Sequence, residues 1–268
     1  MEKERRREDR PVERVKDQTI GIAVIAQNEA DRIMKLINSI SFADEIVVVD
    51  SGSTDGTPSL CTQMGARVIQ RPWQGYAAQK QFAMECVRSD WILNVDADER
   101  VSEALAHEIT AAVASAPPET AGFSMPRLSF YLNRWIRHGG WYPDRKIRLV
   151  RRGKGEWSQD ALHERLIVQG KVIPLSQPLY HDVYRNIADQ VATINRFSDV
   201  AASEKGPRTG KHLLLGLLHG AVKFFESYFW KLGFLDGYAG MVIAANSSWY
   251  VFLKHAKAWE FSLKTPEK

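Results

Sequence analysis

The stretch Thr19 to Ala26, TIGIAVIA, is a nearly continuous apolar run of strand length, and such a strand has to be covered on both faces. That requirement selects a layered α/β architecture. Directly after it, Asn28 and Glu29 open a segment in which Ile33, Leu36, Ile37 and Ile40 recur at helical spacing, so one helix face packs onto the sheet. The unit then repeats. Ile46 to Val49 is a β-branched strand, Thr57 and Pro58 supply an N-cap and a first-turn proline, and Gly65 closes the helix between them. Val68 and Ile69 mark a third strand, Tyr76 to Val87 a helix, and Trp91 to Val95 a fourth strand ending at Asp96. Strands alternating with helices in this way predict a parallel sheet with right-handed crossovers.

The pattern changes near Pro117 and Pro118. Lys146 to Arg151 alternates basic and apolar residues, and Arg165 to Ile173 reads as a hairpin turning at Gln169 and Gly170, so antiparallel strands are expected beside the parallel ones. From Asn186 onward the chain reads as helical, with Phe224, Phe225, Tyr228, Phe229, Trp230, Trp249, Tyr250 and Phe252 among its aromatics. These shifts divide the chain into a charged flexible arm (1–17), an α/β half (18–125), a second region (126–185) and a helical segment (186–268). The arm is dense in both charge signs, which favours a solvated tail over a signal peptide.

A core is affordable, since 44% of the 268 residues are hydrophobic. Lys plus Arg number 36 against 32 Asp plus Glu, a mild surplus that fits anionic substrates or a membrane surface and argues against a nucleic-acid-binding tail. Cys61 and Cys86, without CxxC spacing, are expected to be buried reduced thiols of a cytosolic protein. The apolar stretch Leu213 to Phe225 is interrupted by His219 and Lys223 and is shorter than the roughly 20 residues of a spanning helix, so no membrane crossing is expected.

Two acidic elements sit where ligands of open α/β sheets bind, at the carboxyl ends of strands. Asp50 is followed by Ser51, Gly52, Ser53, Thr54, Asp55 and Gly56, small residues that let a ligand approach the backbone while the carboxylate accepts hydrogen bonds from a base or ribose. The same residues also suit a turn and helix cap. In Asn94-Val95-Asp96-Ala97-Asp98-Glu99, two carboxylates one residue apart can divide labour, one meeting a ribose and the other a hard divalent cation held by diphosphate oxygens. An acidic surface turn is the competing interpretation.

In order and spacing, IAQNEADRI, VVVDSGSTDGT, GYAAQKQFA and WILNVDADE resemble the nucleotide-sugar half of inverting family 2 glycosyltransferases. The later stretches GWYPDRKIRLVRRG, ALHERL and GFLDGYAG resemble the bacterial branch that includes lipopolysaccharide core glucosyltransferases acting on inner-core heptose. The resemblance implies a GT-A type fold with a mostly parallel sheet and a C-terminal helical extension, a nucleotide diphosphate sugar as donor, and Mg²⁺ or Mn²⁺ as cofactor. It implies that Ala26, Asn28 and Glu29 line the base pocket, that Asp50 contacts the base with Ser51, Gly52 and Ser53 beside it, and that Lys80 lies near the nucleotide. Asp96 would meet the ribose and Asp98 the metal. Solvated helix surface is the alternative for Lys80, and capping of the first helix that for Asn28 and Glu29.

An inverting transfer needs a carboxylate to take the acceptor proton. Asp144, Asp160 and Glu164 are the candidates; Glu164 is preferred, Asp144 comes next, and His163 stands where the family commonly has a second acid. A surface salt bridge is the alternative for Glu164. His181, in LYHDVYR, could complete the metal shell or be a structural histidine. Arg145, Lys146, Arg148, Arg151 and Arg152 either bind an anionic donor or acceptor or form a solvated strand face.

Lys205, Arg208, Lys211, Lys223, Lys231, Lys254 and Lys257, with the helical aromatics, suit docking on anionic lipid; burial against the sheet or a second subunit competes. The expected partners are therefore a donor nucleotide sugar, a lipid-linked or lipopolysaccharide glycan, an anionic membrane at the inner face of the bacterial inner membrane, and a possible second copy, with no nucleic acid. Two other functions compete: a sugar nucleotidyltransferase, whose glycine-rich, Arg-containing loop is replaced here by AQNEADR, and a non-catalytic membrane-docked scaffold of the same fold.

Overall fold

The computed structural model describes residues 18–158, 164–206 and 208–264. The arm 1–17, Asp160 and His163 lie outside the described residues. The first half alternates as expected: β1 (Ile20–Ala26), α1 (Ala30–Ser39), β2 (Glu45–Asp50), α2 (Thr57–Gln63), β3 (Arg67–Gln70), α3 (Tyr76–Cys86) and β4 (Trp91–Asp96). The four strands pair in parallel in the order β3-β2-β1-β4. β1 is central, and its side chains are buried on both faces except at half-buried Ile25. Ala26 is level with Asp50, and Ile25 with Asp96, so the ends of β1, β2 and β4 form one rim. Gly21 is required in β1 because a Cβ there would come within 2.3 Å of Val87 Cγ1, where the end of α3 crosses the sheet.

The start of α2 corrects one expectation. Thr57 is the first helical residue and fully buried, not the cap. The cap position is Gly56, at φ +88°, which glycine tolerates without a steric penalty. Asp55 supplies the bonding: its carboxylate accepts from Thr57 N at 3.1 Å and Thr57 Oγ1 at 2.6 Å, and also from Ala30 N at 3.0 Å.

Beyond the parallel layer come β5 (Glu99–Val101), α4 (Glu103–Ala114), β6 (Thr120–Tyr131), β7 (Arg134–Ile136), β8 (Asp144–Arg151), β9 (Gly155–Trp157), β10 (Leu166–Val168), β11 (Lys171–Pro174) and β12 (Leu179–His181). β8 inserts antiparallel between β4 and β6, giving the order β3-β2-β1-β4-β8-β6-β12-β5, with β7 and β11 also on β6. The long strand β6 carries the sheet straight through position 125, so the first and second regions share one sheet. The expected hairpin around Gln169 and Gly170 does not form. β10 pairs with β9 in a separate two-stranded sheet, and β11 runs parallel to β6. Gly170, at φ +136°, lies so close to β6 that a Cβ would be 2.8 Å from Ala121 Cβ.

One core packs α1, α2 and α4 against one face of the sheet; a second lies under α3 on the other. Cys61 is buried, and burial pushes its thiol up to about 11, the mark of an unreactive packing residue. Cys86 is only half-buried, because it ends α3 at the surface.

The helical segment comprises α5 (Ile187–Lys205), α6 (Lys211–Phe225), a π-helical stretch Glu226–Trp230, a 3₁₀ turn Gly233–Asp236 and α7 (Gly237–Lys264). Asn186 caps α5 by accepting from Asp189 N at 2.9 Å. Tyr131 and Ile136 of the β6–β7 hairpin pack against Ala239 and Ile243 of α7, which fixes the helices to the sheet. No helix among the described residues is long and apolar enough to cross a membrane.

Candidate active site

A cavity of about 670 Å³ opens over the ends of β1 and β4. Ala26, Glu29, Lys80, Asp96, Asp98, Glu164 and His181 line it, seven of the residues singled out from the sequence. Their convergence follows from register. The end of β4 presents Asp96 and the turn after it Asp98, while β12 runs antiparallel to β5 with His181 opposite Glu99, which delivers the imidazole to Asp98. His181 Nε2 is 3.4 Å from Asp98 Oδ2, and its Nδ1 is 3.4 Å from Ser129 Oγ.

The acidic run separates into three environments. Asp96 meets Lys80 Nζ at 2.8 Å and Arg148 Nη2 at 2.6 Å. Burial alone would raise its carboxyl, but those two cations hold it well below the usual carboxylate range. Glu99 is fully buried, accepts from the same Arg148 Nη2 at 2.6 Å, and takes the Asp96 backbone N–H at 2.9 Å. Asp98 faces His181 and, at 3.5 Å, Arg32. One oxygen and one imidazole nitrogen on the same wall suit a cation that takes its other ligands from phosphate and water. No group of three or more His, Cys, Asp or Glu side chains placed to hold a metal occurs among the described residues.

Lys80 is the hinge of the site rather than solvated helix surface. Its Nζ lies 2.8 Å from Asp96 and 2.9 Å from Glu164 Oε1, and 4.9 Å over the Trp157 ring. Burial opposes its charge, yet Asp96 and Glu164 outweigh burial and Arg148 and raise its pKa. Glu164 thus stands at a buried ammonium, and its salt bridge belongs to the site rather than to the surface. A second cavity of about 400 Å³, on the side of β8 and Trp157, shares Lys80, Asp96 and Glu164 with the first.

Six residues of the expected set do not line either cavity. Asp50 is fully buried, with Oδ2 accepting from Gly52 N and Ser53 N at 2.9 Å each and Oδ1 accepting from Ser53 Oγ. These three bonds build its own loop, and Asp50 is not among the residues that line either cavity. Ser51 Oγ accepts from Gln79 Nε2 at 2.9 Å, while Gly52, at φ +84°, and Ser53 complete the turn. Asn28, at φ +56°, accepts from Thr54 N at 2.9 Å and donates its own N–H to Ser53 Oγ at 2.8 Å, tying the two rim loops together. Neither Asn28 nor Glu29 caps α1 through its side chain. Asp144, the second candidate base, is bound by Arg127 Nη2 at 2.7 Å and Lys146 Nζ at 3.0 Å and is not among the residues that line either cavity.

The basic run likewise divides. Arg148 is buried between Asp96 and Glu99, Lys146 pairs with Asp144, Arg145 donates to Leu175 O, and Arg151 donates to Thr120 O. Residues not singled out from the sequence complete the wall: Arg32, Trp73, Tyr76, Tyr184, Arg185 and Arg196. Arg32, three residues after Glu29 on the buried side of α1, was the most findable of them. Arg185 ties β12's following loop to α1 through Asp31 at 3.1 Å and Glu29 at 3.2 Å.

The family model for glycosyl transferase family 2 matches residues 21–167, which run from within β1 to within β10 and take in Asp96, Asp98 and Glu99. The chain belongs to this family. The transferase is 31% identical over 249 residues to the lipopolysaccharide core biosynthesis glycosyltransferase LpsC of Rhizobium meliloti, covering 88% of this chain and 90% of that protein. It is also 31% identical over 265 residues to an uncharacterized glycosyltransferase of Rickettsia felis, covering 92% and 91% of the two chains. Among solved structures it is similar to the mannosyltransferase PcManGT of Pyrobaculum calidifontis in complex with GDP-Man and Mn²⁺, at 14% identity and a TM-score of 0.48 over 95% of this chain and 77% of that one. The parallel-then-mixed sheet of the transferase, with α-helices on both faces and a long C-terminal helix, is the GT-A type architecture expected from its sequence.

Proposed function

We propose that the transferase moves a sugar, with inversion, from a UDP-sugar to a hydroxyl of a lipopolysaccharide core or related cell-envelope glycan, working as a peripheral protein on the inner face of a bacterial inner membrane. The observation that carries the reaction is the meeting in one cavity of the Asp98–His181 pair and the Lys80–Glu164 pair, with Asp96 on Lys80. The likeness to LpsC supports the acceptor class.

Asp98 and His181 would hold Mg²⁺ or Mn²⁺, which when bound neutralises the charge that builds on the departing nucleotide diphosphate. The rim around Ala26 receives the nucleotide, with Glu29 at its edge. The Asp50 loop, with Ser51, Gly52 and Ser53, shapes that pocket from behind. Asp96, kept ionised by Arg148 and Lys80, accepts ribose hydroxyls. Glu164 takes the proton of the attacking acceptor hydroxyl while Lys80 fixes the carboxylate's position between the two cavities.

Incubating the protein with radiolabelled UDP-sugars, Mn²⁺ and extracted envelope glycolipids tests the reading. Label should enter the lipid fraction, and Glu164→Gln should lower kcat by about 10²- to 10⁴-fold, the usual range for loss of a general base. Absence of both transfer and donor hydrolysis with every donor would overturn it.

A further inference from the structure

Soluble helices bury large apolar residues and expose small or polar ones; α6 does the reverse. Its buried residues are Gly216 and Gly220, while Leu214, Leu217, Leu218 and Val222 face outward, Leu214 at 69% exposure. The glycines are where α6 meets α7: a Cβ on Gly216 would lie 2.7 Å from His255 Cβ, and one on Gly220 3.1 Å from Ser248 O. The connection to α7 is built the same way. Gly240 lies against Gly233 backbone, with 1.8 Å from an added Cβ to the Gly233 oxygen, and the large side chains are left outside. Trp230 is 86% and Tyr238 93% exposed, and Phe229 and Leu235 are each about half exposed. Two leucines, Leu132 at the β6–β7 turn and Leu232 after the π-helical stretch, sit at φ +48° and +57°, conformations costly for such residues, and both are exposed. Small residues between helices and large apolar ones outside is the packing of helices whose surroundings are lipid.

Charge selects the occupant. Between Arg208 and Met241 the acids are Glu226 and Asp236. Glu226 is neutralised by Lys231 at 2.6 Å and Lys223 at 3.0 Å; Asp236 is buried and takes the N–H groups of Arg137 and His138. Arg208 and Lys211 are exposed at the start of α6, and Arg134 and Arg137 are exposed at the 3₁₀ turn, with Arg134 beside Gly237 and the Arg137 N–H on Asp236. An isologous dimer through this patch would gather two copies of those cations at one interface, with no unpaired acid of the segment to offset them. An anionic bilayer surface complements them, and exposed Trp and Tyr rings suit its headgroup level.

We infer that the outer face of α6, the π-helical stretch, the 3₁₀ turn and the start of α7 form a monotopic docking surface that lies in the headgroup layer of an anionic leaflet. This rests on the membrane contact proposed above and names the surface that makes it. Lys257 of α7 is no part of it, since it is engaged with Asp199 at 2.8 Å and Asn195 at 2.7 Å.

The test is co-sedimentation of the full chain with phosphatidylglycerol-containing vesicles and with pure phosphatidylcholine vesicles. It uses wild type, Leu214→Gln/Leu218→Gln/Val222→Gln and Trp230→Ser/Tyr238→Ser, with circular dichroism and Mn²⁺-supported UDP binding as folding and function controls. Wild type should pellet with the anionic vesicles, weaken with added salt, and lose at least tenfold in partitioning in either variant, with UDP binding unchanged. If wild type binds and both variants bind equally well, the surface is wrong while the membrane reading stands. Wild type that ignores both vesicle types overturns both, and a concentration-dependent dimer in ultracentrifugation, dissolved by the same substitutions, assigns the face to a second copy.

Discussion

Glu29 shows how the site is balanced residue by residue. Burial pushes its carboxyl up to about 6, against the opposing pull of Arg32 and Arg185. A carboxyl whose folded pKa exceeds its unfolded value stabilises the fold below the unfolded value, near 4.5, and loses that contribution as pH rises through about 6. The shift corresponds to about 2 kcal/mol at most, which solvent screening of a partly exposed carboxyl reduces to about 1 kcal/mol. Urea unfolding at pH 4.5 and 7.5 should therefore show wild type losing about that much more stability on the rise than Glu29→Gln; equal losses would mean that the burial of Glu29 costs nothing. At the neighbouring rim, proximity in sequence concealed a division of roles. The string Asp96-Ala97-Asp98-Glu99 announces acidity, but only the fold reveals that Asp96 and Glu99 are neutralised by Arg148 while Asp98 faces His181. Nothing in the spacing of residues 52 apart identifies Arg148 as the partner of Asp96.

At the scale of elements, the parallel layer was legible because buried parallel strands write themselves as apolar runs and their helices as 3.6-residue periodicity. The mixed layer was less so. β6 alternates imperfectly and was not seen, and the pair β10 and β11 looked like a hairpin because local pattern cannot say which strand each will join. The Asp50 loop is a similar case, since a binding loop and a self-bonded turn use the same residues. Asp50→Ala leaves the loop N–H groups of Gly52 and Ser53 without their acceptor and should cost about 1–3 kcal/mol of stability in the absence of nucleotide. Unchanged stability with lost UDP binding would instead restore the direct contact. The α6–α7 pair makes a sharper contrast. Gly216→Val must push α6 off His255 and should cost about 1–3 kcal/mol. Leu214→Gln, at an exposed position, should change stability by less than about 0.5 kcal/mol. Urea denaturation of the two variants checks both.

Taken as a whole, the molecule joins a nucleotide-sugar-binding sheet to a helical extension that closes one side of the cavity: α5 contributes Asp189, Thr193, Arg196, Phe197 and Val200 to its wall. The extension was legible as helical and aromatic, but not which face it turned outward, because that depends on where its glycines meet α7. Its leucine-rich outer face and the acidic rim are two separate devices, so lipid contact and donor binding should be separable by mutation. The central claim concerns the rim: that Asp98 and His181 act as one cation site serving the nucleotide diphosphate. Titration calorimetry of UDP into the protein, with Mn²⁺ or with EDTA, tests it most directly. Wild type should bind UDP at least tenfold more tightly with Mn²⁺, and both Asp98→Asn and His181→Ala should abolish that gain while leaving the metal-free affinity in place. Equal UDP affinity with and without Mn²⁺, or a metal gain that survives in both variants, would contradict the account.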